Sequence, residues 1–491
     1  MTIDSIDINA AIKDVENLLA QEKGTSPAMN AAIRVLLLVI KLMGNRLGLN
    51  SSNSSKPPST DQKSVKKNAI EKEGDNYSDT GGKRKPGGQH GHIGTTLTPE
   101  KKPDKIDEIV IDKRTLPPGN YHEAGYESRQ VVDIKISRVV TEYRAQILEN
   151  ENGERFVAEF PDGITRPIQY GASVKANAVY MSMFQLIPYE RIQTHFAELF
   201  EIPISAGTVY NFNRDAYQRL SEFNRLATHK LTHASLLHVD ETGINIGGTK
   251  MWLHGSSNLN WTYFYPHEKR GGEAIEEIAI LAHFKGTLCH DHWKPYYKYS
   301  CLHSLCNGHH LRELVRAFEQ DGQQWAQTMH TFLEDVNISV PESTGKLDEQ
   351  EALRRRKKYR SILKAADIEC PEPVRTKDSP KRGRLKRSKS RNLLERLRDY
   401  EDDVLRFMDH VEVPFTNNQG ERDIRMSKVQ QKISGCFRSM EGAKTFCLIR
   451  SYLSTCRKNN IGVGEALECL FRGEWPQFIQ DEMDSMNEGA E

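Results

Sequence analysis

Leu236-Leu237-His238-Val239-Asp240-Glu241-Thr242-Gly243-Ile244-Asn245-Ile246-Gly247-Gly248-Thr249-Lys250-Met251-Trp252-Leu253-His254 is the stretch whose reading decides the fold. Leu236–Val239 is a short apolar strand that ends in Asp240. Ile246–Lys250, with two adjacent glycines, has the composition of a hairpin turn. Met251–His254 and Trp261–Tyr265 are the next two strands. Helical spacing follows over Gly272–Ala282, and Gly286–His290 reads as a fourth strand that ends in Asp291.

Three strands, a helix and a fourth strand, with an aspartate closing the first and the fourth, is the core order of a ribonuclease-H-like domain. Two adjacent strands of one sheet bring both carboxylates to the same edge. Glu421, on a helix expected over Asn418–Val429, supplies a third. Such a set suits two hard divalent ions, which prefer oxygen ligands. A pair of ions about 4 Å apart activates a water or 3′-hydroxyl and stabilises the departing oxygen in phosphoryl transfer. Acidic residues at strand ends are ordinary, so on the residues alone a purely structural reading stays open.

Outward from this core the chain divides by composition. Residues 1–49 read as two helices, with Ile8, Ile12, Val15 and Leu19 on the first and Ile33, Leu36, Leu37, Ile40 and Met43 on the second. The broad apolar face of the second fits either self-association or packing on the rest of the chain. Residues 50–105 are a Gly/Pro/Ser-rich basic linker, in which Lys83-Arg84-Lys85 either meets phosphate or is simply solvated. Residues 106–165 alternate apolar and polar and are expected to form a strand-rich module. In 166–230, Tyr189–Phe200, a turn at Ile202-Pro203-Ile204 and Ser205–Leu220, with Ser205 as N-cap, form a helix-turn-helix pattern. Its polar face carries Thr208, Tyr210, Asn211, Asn213 and Arg214, of which Thr208, Tyr210 and Asn211 are candidate DNA contacts. The catalytic core spans 231–334 and 400–435, and a basic helical insertion fills 335–399. The insertion carries Arg354-Arg355-Arg356-Lys357-Lys358, and Lys381, Arg382, Arg384, Lys386 and Arg387 as candidate phosphate contacts. Residues 436–491 are C-terminal helices, with two helices expected through about Phe471. The fold class is thus a multidomain α+β chain: a ribonuclease-H-like catalytic domain with a helical insertion, preceded by a helix-turn-helix-like region and N-terminal helices.

Net charge over the 491 residues is only +1, so overall charge does not announce a nucleic-acid partner. All eight cysteines lie at or after Cys289, which is no disulfide framework and fits a reducing, cytoplasmic setting. Met1-Thr2-Ile3-Asp4 lacks the basic start of a secretory signal, and Ile33–Met43 is too short and too charged to span a bilayer, so no membrane is expected. There is no GxxxxGK[ST], HExxH or GxSxG, which disfavours an ATP-driven motor and a zinc protease.

His238-Val239-Asp240-Glu241-Thr242-Gly243 with Trp252-Leu253-His254 resembles the first catalytic block of the insertion-sequence-66 family of bacterial transposases. His290-Asp291-His292-Trp293, Tyr296-Tyr297 and Cys306-Asn307-Gly308-His309-His310-Leu311-Arg312-Glu313-Leu314 resemble its second block. Val413-Pro414-Phe415-Thr416-Asn417-Asn418-Gln419-Gly420-Glu421-Arg422-Asp423-Ile424-Arg425 resembles the third, continuing into Lys432-Ile433-Ser434-Gly435 and Phe437-Arg438-Ser439. Ser54–Ser59 and Arg84–His92 are similar to the family's linker, so the likeness runs nearly end to end. It implies a transposase with Asp240, Asp291 and Glu421 as catalytic metal ligands, and Glu241, His310, Asn417 and Asn418 in support. It also implies dependence on Mg²⁺ or Mn²⁺. The implied partners are the element's terminal inverted repeats, target DNA, further copies of the chain on DNA, and accessory proteins of the same element. The place of action is the cytoplasm, at the nucleoid.

The sequence departs from the pattern in places. Thr115–Glu159 holds no cysteine where many relatives carry a zinc module, so no structural zinc is expected there. Thr416 and Gly420 stand where many relatives have Asp and Ala, which suggests a looser helix start before Glu421. Cys301, His303, Cys306, His309 and His310 have permissive zinc spacing, but the likeness puts His310 on a helix near the catalytic pocket, and zinc is not expected here either. Arg422 and Arg425 are read as phosphate contacts, with surface ion pairs as the plainer alternative. The rival function is a catalytically silent DNA-binding regulator, and a nuclease without strand transfer would share the same site.

Overall fold

The structure, a computed structural model, describes residues 2–3, 6–21, 26–47, 49–50, 53–54, 97–341, 344–375 and 385–488. Most of the linker, with Lys83-Arg84-Lys85, lies outside them. So do Lys381, Arg382 and Arg384. Two compact units separate: Ser64–Glu142 with Leu199–Glu201, and the remainder of the chain.

The described part of the smaller unit holds a single 3₁₀ turn, Lys113–Thr115, and no strand. The strand-rich module expected over 106–165 is therefore not what forms. Only a short hairpin appears there, of β3 (Ile147–Glu149) and β4 (Arg155–Val157), within the larger unit. Ile109 and Val131 are each 92% exposed. Alternation supplies an apolar face, but a sheet persists only when a second layer buries that face, and no such layer covers it among the described residues.

At the start of the chain lie a two-residue strand pair, β1 (Thr2–Ile3) and β2 (Ile6–Asp7), then helices α1 (Ile8–Gln21) and α2 (Pro27–Leu47). Leu36, Ile40 and Met43 of α2 are exposed.

The core of the larger unit is a five-stranded mixed sheet in the order β7-β6-β5-β8-β9. β5 (Leu236–Ile246), β6 (Thr249–Ser257) and β7 (Thr262–His267) form an antiparallel meander. β8 (Thr287–His290) and β9 (Leu302–Leu305) run parallel to β5. Gly247 and Gly248 have φ of 57° and 85°, the paired left-handed turn that matches strand twist and that side chains resist.

β5 does not stop at Asp240, as the apolar run suggests. It continues to Ile246 because its second half pairs with β6, up to Ile246↔Thr249. What stops near Asp240 is the parallel pairing with β8, whose last pair is His238↔Cys289. Asp240 therefore sits where β5 leaves β8 behind, beside the end of β8 and Asp291.

Helices pack around the sheet. α3 (Ala172–Val179) runs into a π-helical turn, Tyr180–Phe184. α4 (Tyr189–Phe200), α5 (Ala206–Arg219) and α6 (Ser221–Thr232) follow. Ser205 caps α5 as expected, its hydroxyl accepting Thr208 N–H at 3.1 Å. The expected helix over Gly272–Ala282 is broken into α7 (Gly272–Ile278) and α8 (Ile280–His283) by Ala279, at φ 61°. A helical layer is formed by α9 (Asn307–Asp321), α10 (Gln324–Ser339), α11 (Glu349–Glu369), α12 (Lys389–Asp399) and α13 (Glu401–Asp409). Its core gathers Leu314, Trp325, Met329, Leu333, Tyr359, Leu394, Leu397 and Leu405.

The helix expected over Asn418–Val429 is jointed at Arg425 into α14 (Asn418–Ile424) and α15 (Met426–Ser434). The two helices expected through about Phe471 form as α16 (Met440–Lys458) and α17 (Val463–Arg472), and a third, α18 (Gln477–Glu488), follows them. α16 seals the β7 edge of the sheet. Ser451 and Thr455 hydroxyls accept the N–H groups of Phe264 (2.8 Å) and Thr262 (3.1 Å), donors an edge strand otherwise leaves open.

Gly286 permits the entry of β8 beside β5. A Cβ there would lie 2.4 Å from Ser235 O and 2.5 Å from Ala234 O, both backbone atoms with no room to yield. Gly286→Ala is expected to lower stability by about 1–3 kcal/mol, read as a fall in denaturation midpoint. An unchanged midpoint would show that β8 shifts freely against β5.

Candidate functional site

Asp240, on β5, faces Gly255 of β6 across the antiparallel pair. Because Gly255 has no side chain, Ile424 of α14 seats directly over it; a Cβ there would touch Ile424 Cδ1 at 3.6 Å. That seat brings Glu421, one turn earlier on α14, within reach of Asp240 by charge. Asp291 follows β8, and its carboxylate accepts Trp293 N–H at 3.1 Å. His292 makes the turn with φ 68°.

The three acidic groups lie close enough for Asp240 to feel the charge of the other two. Asp240's carboxyl is pushed up to about 8, first by burial and then by the negative charges of Glu241, Asp291 and Glu421 around it. Glu241, the next residue, has a different fate. Its side chain is 2% exposed, accepts Tyr296 O–H at 2.7 Å and pairs with Arg270 at 2.8 Å through Nε. Arg270 lies between the rings of Trp252 (5.0 Å) and Trp293 (4.7 Å). Burial raises the Glu241 carboxyl, while Tyr296 and Arg270 pull it down. Glu241 is thus ion-paired within the fold, and Asp240 has no such partner among the described residues.

Asn417 positions the third acid. It precedes α14 but does not cap it with its side chain. Its Oδ1 instead meets His238 Nδ1 at 2.7 Å, its Nδ2 donates to Val239 O at 2.8 Å, and its backbone N–H donates to Cys306 Sγ at 3.1 Å. The other end of α14 is tied by Asp423 to Lys458 at 2.7 Å. Gly420 bears on the same contact: a Cβ there would meet Asn417 Oδ1 at 3.1 Å. Asn418, the first residue of α14, is exposed.

His310 is buried and bonded to Asn307 Oδ1 at 3.1 Å. The imidazole beside Glu421 belongs to His309, whose Nδ1 lies 3.7 Å from Glu421 Oε1, with Arg312 at 3.9 Å. Sequence reasoning did not place His309, Arg312, Arg270 or Tyr296 around these carboxylates. For the first two a signal existed. His310, Leu314 and Ala317 share the buried stripe of α9, so residues 309 and 312, three apart, fall on another face.

The DNA-contact candidates divide. Tyr210 and Asn211 are exposed on α5, while Thr208 is half-buried and its hydroxyl meets Ser205 Oγ at 2.9 Å. Asn213, read as part of the same polar face, is buried and bonded to Tyr189 and Ser182, each at 2.9 Å. Lys386 is exposed. Arg387 is not free for phosphate, because it is ion-paired to Glu395 and Glu372 in the insertion. Arg422 and Arg425 are exposed, and neither has a carboxylate within ion-pair distance among the described residues.

Residues 167–445, more than half the chain and all of the carboxylate pocket, match the family model described as Transposase IS66 family. The chain belongs to the IS66 family of transposases. Residues 4–98 match a second model, a family of unknown function (DUF6444). No curated protein matches the chain. Membership in the IS66 family implies DNA transposition and DNA binding, and the wider class of Asp-Asp-Glu transposases generally uses divalent metals. No helix among the described residues is long and apolar enough to cross a membrane.

Two outcomes test the pocket. Below about pH 4 Asp240 is neutral whether the chain is folded or unfolded; between there and about pH 8 only the unfolded chain ionises it, so stability falls as pH rises through this window. In buffer free of divalent ions, Asp240→Asn is therefore expected to melt higher than the parent near pH 8, with a smaller gap near pH 5. A variant that melts lower at both would show the carboxyl is not under this charge pressure. Asn417→Ala, by removing two buried side-chain bonds, is expected to cost about 1–3 kcal/mol, against at most about 0.5 kcal/mol for Asn418→Ala. Equal losses in denaturant unfolding would remove the bridging role.

Proposed function

We propose that this chain cuts DNA at the ends of a mobile element and joins the freed ends to target DNA, with Asp240, Asp291 and Glu421 as ligands for two Mg²⁺ or Mn²⁺ ions. The observation that carries the reading is the gathering of three carboxylates with no protein cation paired to Asp240, next to a fourth, Glu241, that is fully paired. Such a half-buried surplus of negative oxygen donors fits hard divalent ions, and ligation relieves the repulsion. The strand order, with the first aspartate on the central strand and the second after its parallel neighbour, supports a ribonuclease-H-like core.

When bound, such ions activate a water or 3′-hydroxyl and stabilise the oxygen that leaves. The chain's own groups do the positioning. Asn417 holds α14 against β5, so that Glu421 stays within reach of Asp240. Arg270 and Tyr296 keep Glu241 committed to the fold, out of competition for ions. Arg422 and Arg425, on the exposed side of the same helical segment, are placed to hold phosphate oxygens. Tyr210 and Asn211 on α5 are the proposed contacts to element-end DNA, with Lys386 and the basic segment before it adding sequence-independent attraction. The assembly acts as a homo-oligomer on DNA, in the cytoplasm, with accessory proteins of the same element.

Labelled DNA carrying the element's own inverted repeats tests this. With Mg²⁺ or Mn²⁺ the parent is expected to shift, cut and join this DNA. Asp240→Asn is expected to lose cutting by about 100-fold or more while still shifting it. A parent that shifts the DNA but never cuts it with either ion would mark a silent regulator; cutting without joining would mark a nuclease.

A further inference from the structure

Glu421 also belongs to a second constellation, different in chemistry from the acidic pocket. Cys306 is the N-cap residue of α9, and His309 is the third residue of that helix. Cys306 is buried, with Sγ turned toward the start of α14, where it accepts the Asn417 N–H. His309 Nδ1 and Glu421 Oε1 are both shielded from solvent and both lack a hydrogen-bond partner. They lie 3.7 Å apart, too far for a direct bond. One ligand atom from each of Cys306, His309 and Glu421 falls within 4.8 Å of the other two.

Buried polar atoms left unpaired carry a cost, and most in folded proteins find a partner. Two such atoms converging beside a thiol lie close to the separations that a shared ion between them requires. Zn²⁺ binds thiolate at about 2.3 Å, imidazole at about 2.0–2.1 Å and carboxylate at about 2.0–2.2 Å. Ligands at those lengths in a tetrahedron stand about 3.3–3.6 Å apart, so a small closing movement suffices. Mg²⁺ does not take this set, because thiolate is a soft donor.

We propose that Cys306, His309 and Glu421 form a binding site for a thiophilic divalent ion such as Zn²⁺, Co²⁺ or Cd²⁺, with solvent as the fourth ligand. The site differs from the zinc arrangement that spacing alone suggested, since Cys301, His303 and His310 take no part. On binding, Cys306 loses its proton to solvent and Arg312, 3.9 Å from Glu421, gives up its contact. Because Glu421 is shared, filling this site withdraws the carboxylate from Asp240 and Asp291. That consequence rests on the function proposed above, whereas the binding itself does not.

The intact protein, stripped of metal with a chelator and then titrated with Co²⁺ alone, tests the site. One equivalent is expected to produce a thiolate-to-cobalt charge-transfer band in the near ultraviolet. The band should bleach with stoichiometric Zn²⁺ and persist in excess Mg²⁺. Cys306→Ser is expected to abolish it, and His309→Gln and Glu421→Gln to weaken Co²⁺ affinity at least tenfold. Asp240→Asn should keep it. No band in the parent, or an undiminished band in Cys306→Ser, overturns the proposal. Should Cys306→Ser fail to fold, unchanged affinity in both His309→Gln and Glu421→Gln overturns it equally. A parent that binds Co²⁺ in this way but never cuts element-end DNA would retain this site and remove the proposed function.

Discussion

Asn417 joins three segments that are far apart in the chain. Its amide grips the backbone of β5 at Val239 and the ring of His238, and its own N–H reaches Cys306 at the head of α9. All of these groups are buried, so each bond left unmade would leave an unsatisfied donor or acceptor in a low-dielectric interior. His238 complements it: burial holds its imidazole below the usual range, keeping the ring neutral with one nitrogen to share with the amide. The rest of the pocket follows from this contact. With α14 fixed at Asn417 and again at Asp423–Lys458, Glu421 has little freedom to leave the reach of Asp240.

Asp240 and Glu241 show how strand alternation sorts neighbouring acids into different tasks. Successive side chains on β5 point to opposite faces. Glu241 falls where Arg270, clamped between two tryptophan rings, and Tyr296 meet it. Asp240 feels the charges of Glu241, Asp291 and Glu421, and has no ion-pair partner among the described residues. Glu241 is satisfied within the fold; Asp240 keeps a crowd of like charge that fits the proposed cation.

The helical layer α9–α13 raises a related point about charge. Arg354, Arg355 and Arg356 read as a basic run, yet Arg354 and Arg355 pair with Glu351, Arg355 also with Asp335, and Arg356 with Asp402 and Asp409. Arg391 is buried among Glu395, Asp367 and Glu372. These cations hold helices together and leave little free charge for DNA. Arg422 and Arg425, on the segment that carries Glu421, are exposed and have no ion pair among the described residues. Short-range charge counting cannot separate the two kinds, because what distinguishes them is the acidic partner brought by a remote helix.

The sequence by itself determined the strands, turns and most helices of the core, since period-two and period-3.6 patterns, the Gly247-Gly248 turn and the Ser205 cap act over a few residues. It also singled out Asp240, Asp291 and Glu421 as candidates, through strand placement and family likeness. It misplaced the end of β5, because strand length depends on the partner strand β6 and not on the apolar run. It overread 106–165, because alternation promises a sheet face without saying whether anything will cover it. Only the tertiary structure decided that Glu241 is spent inside the fold, that His309 and not His310 faces Glu421, that Asn417 bridges instead of capping, and that Arg387 is paired. Each of these depends on which distant backbone lies within hydrogen-bond reach, about 3 Å, and that distance is fixed by packing α14 and α9 onto the sheet.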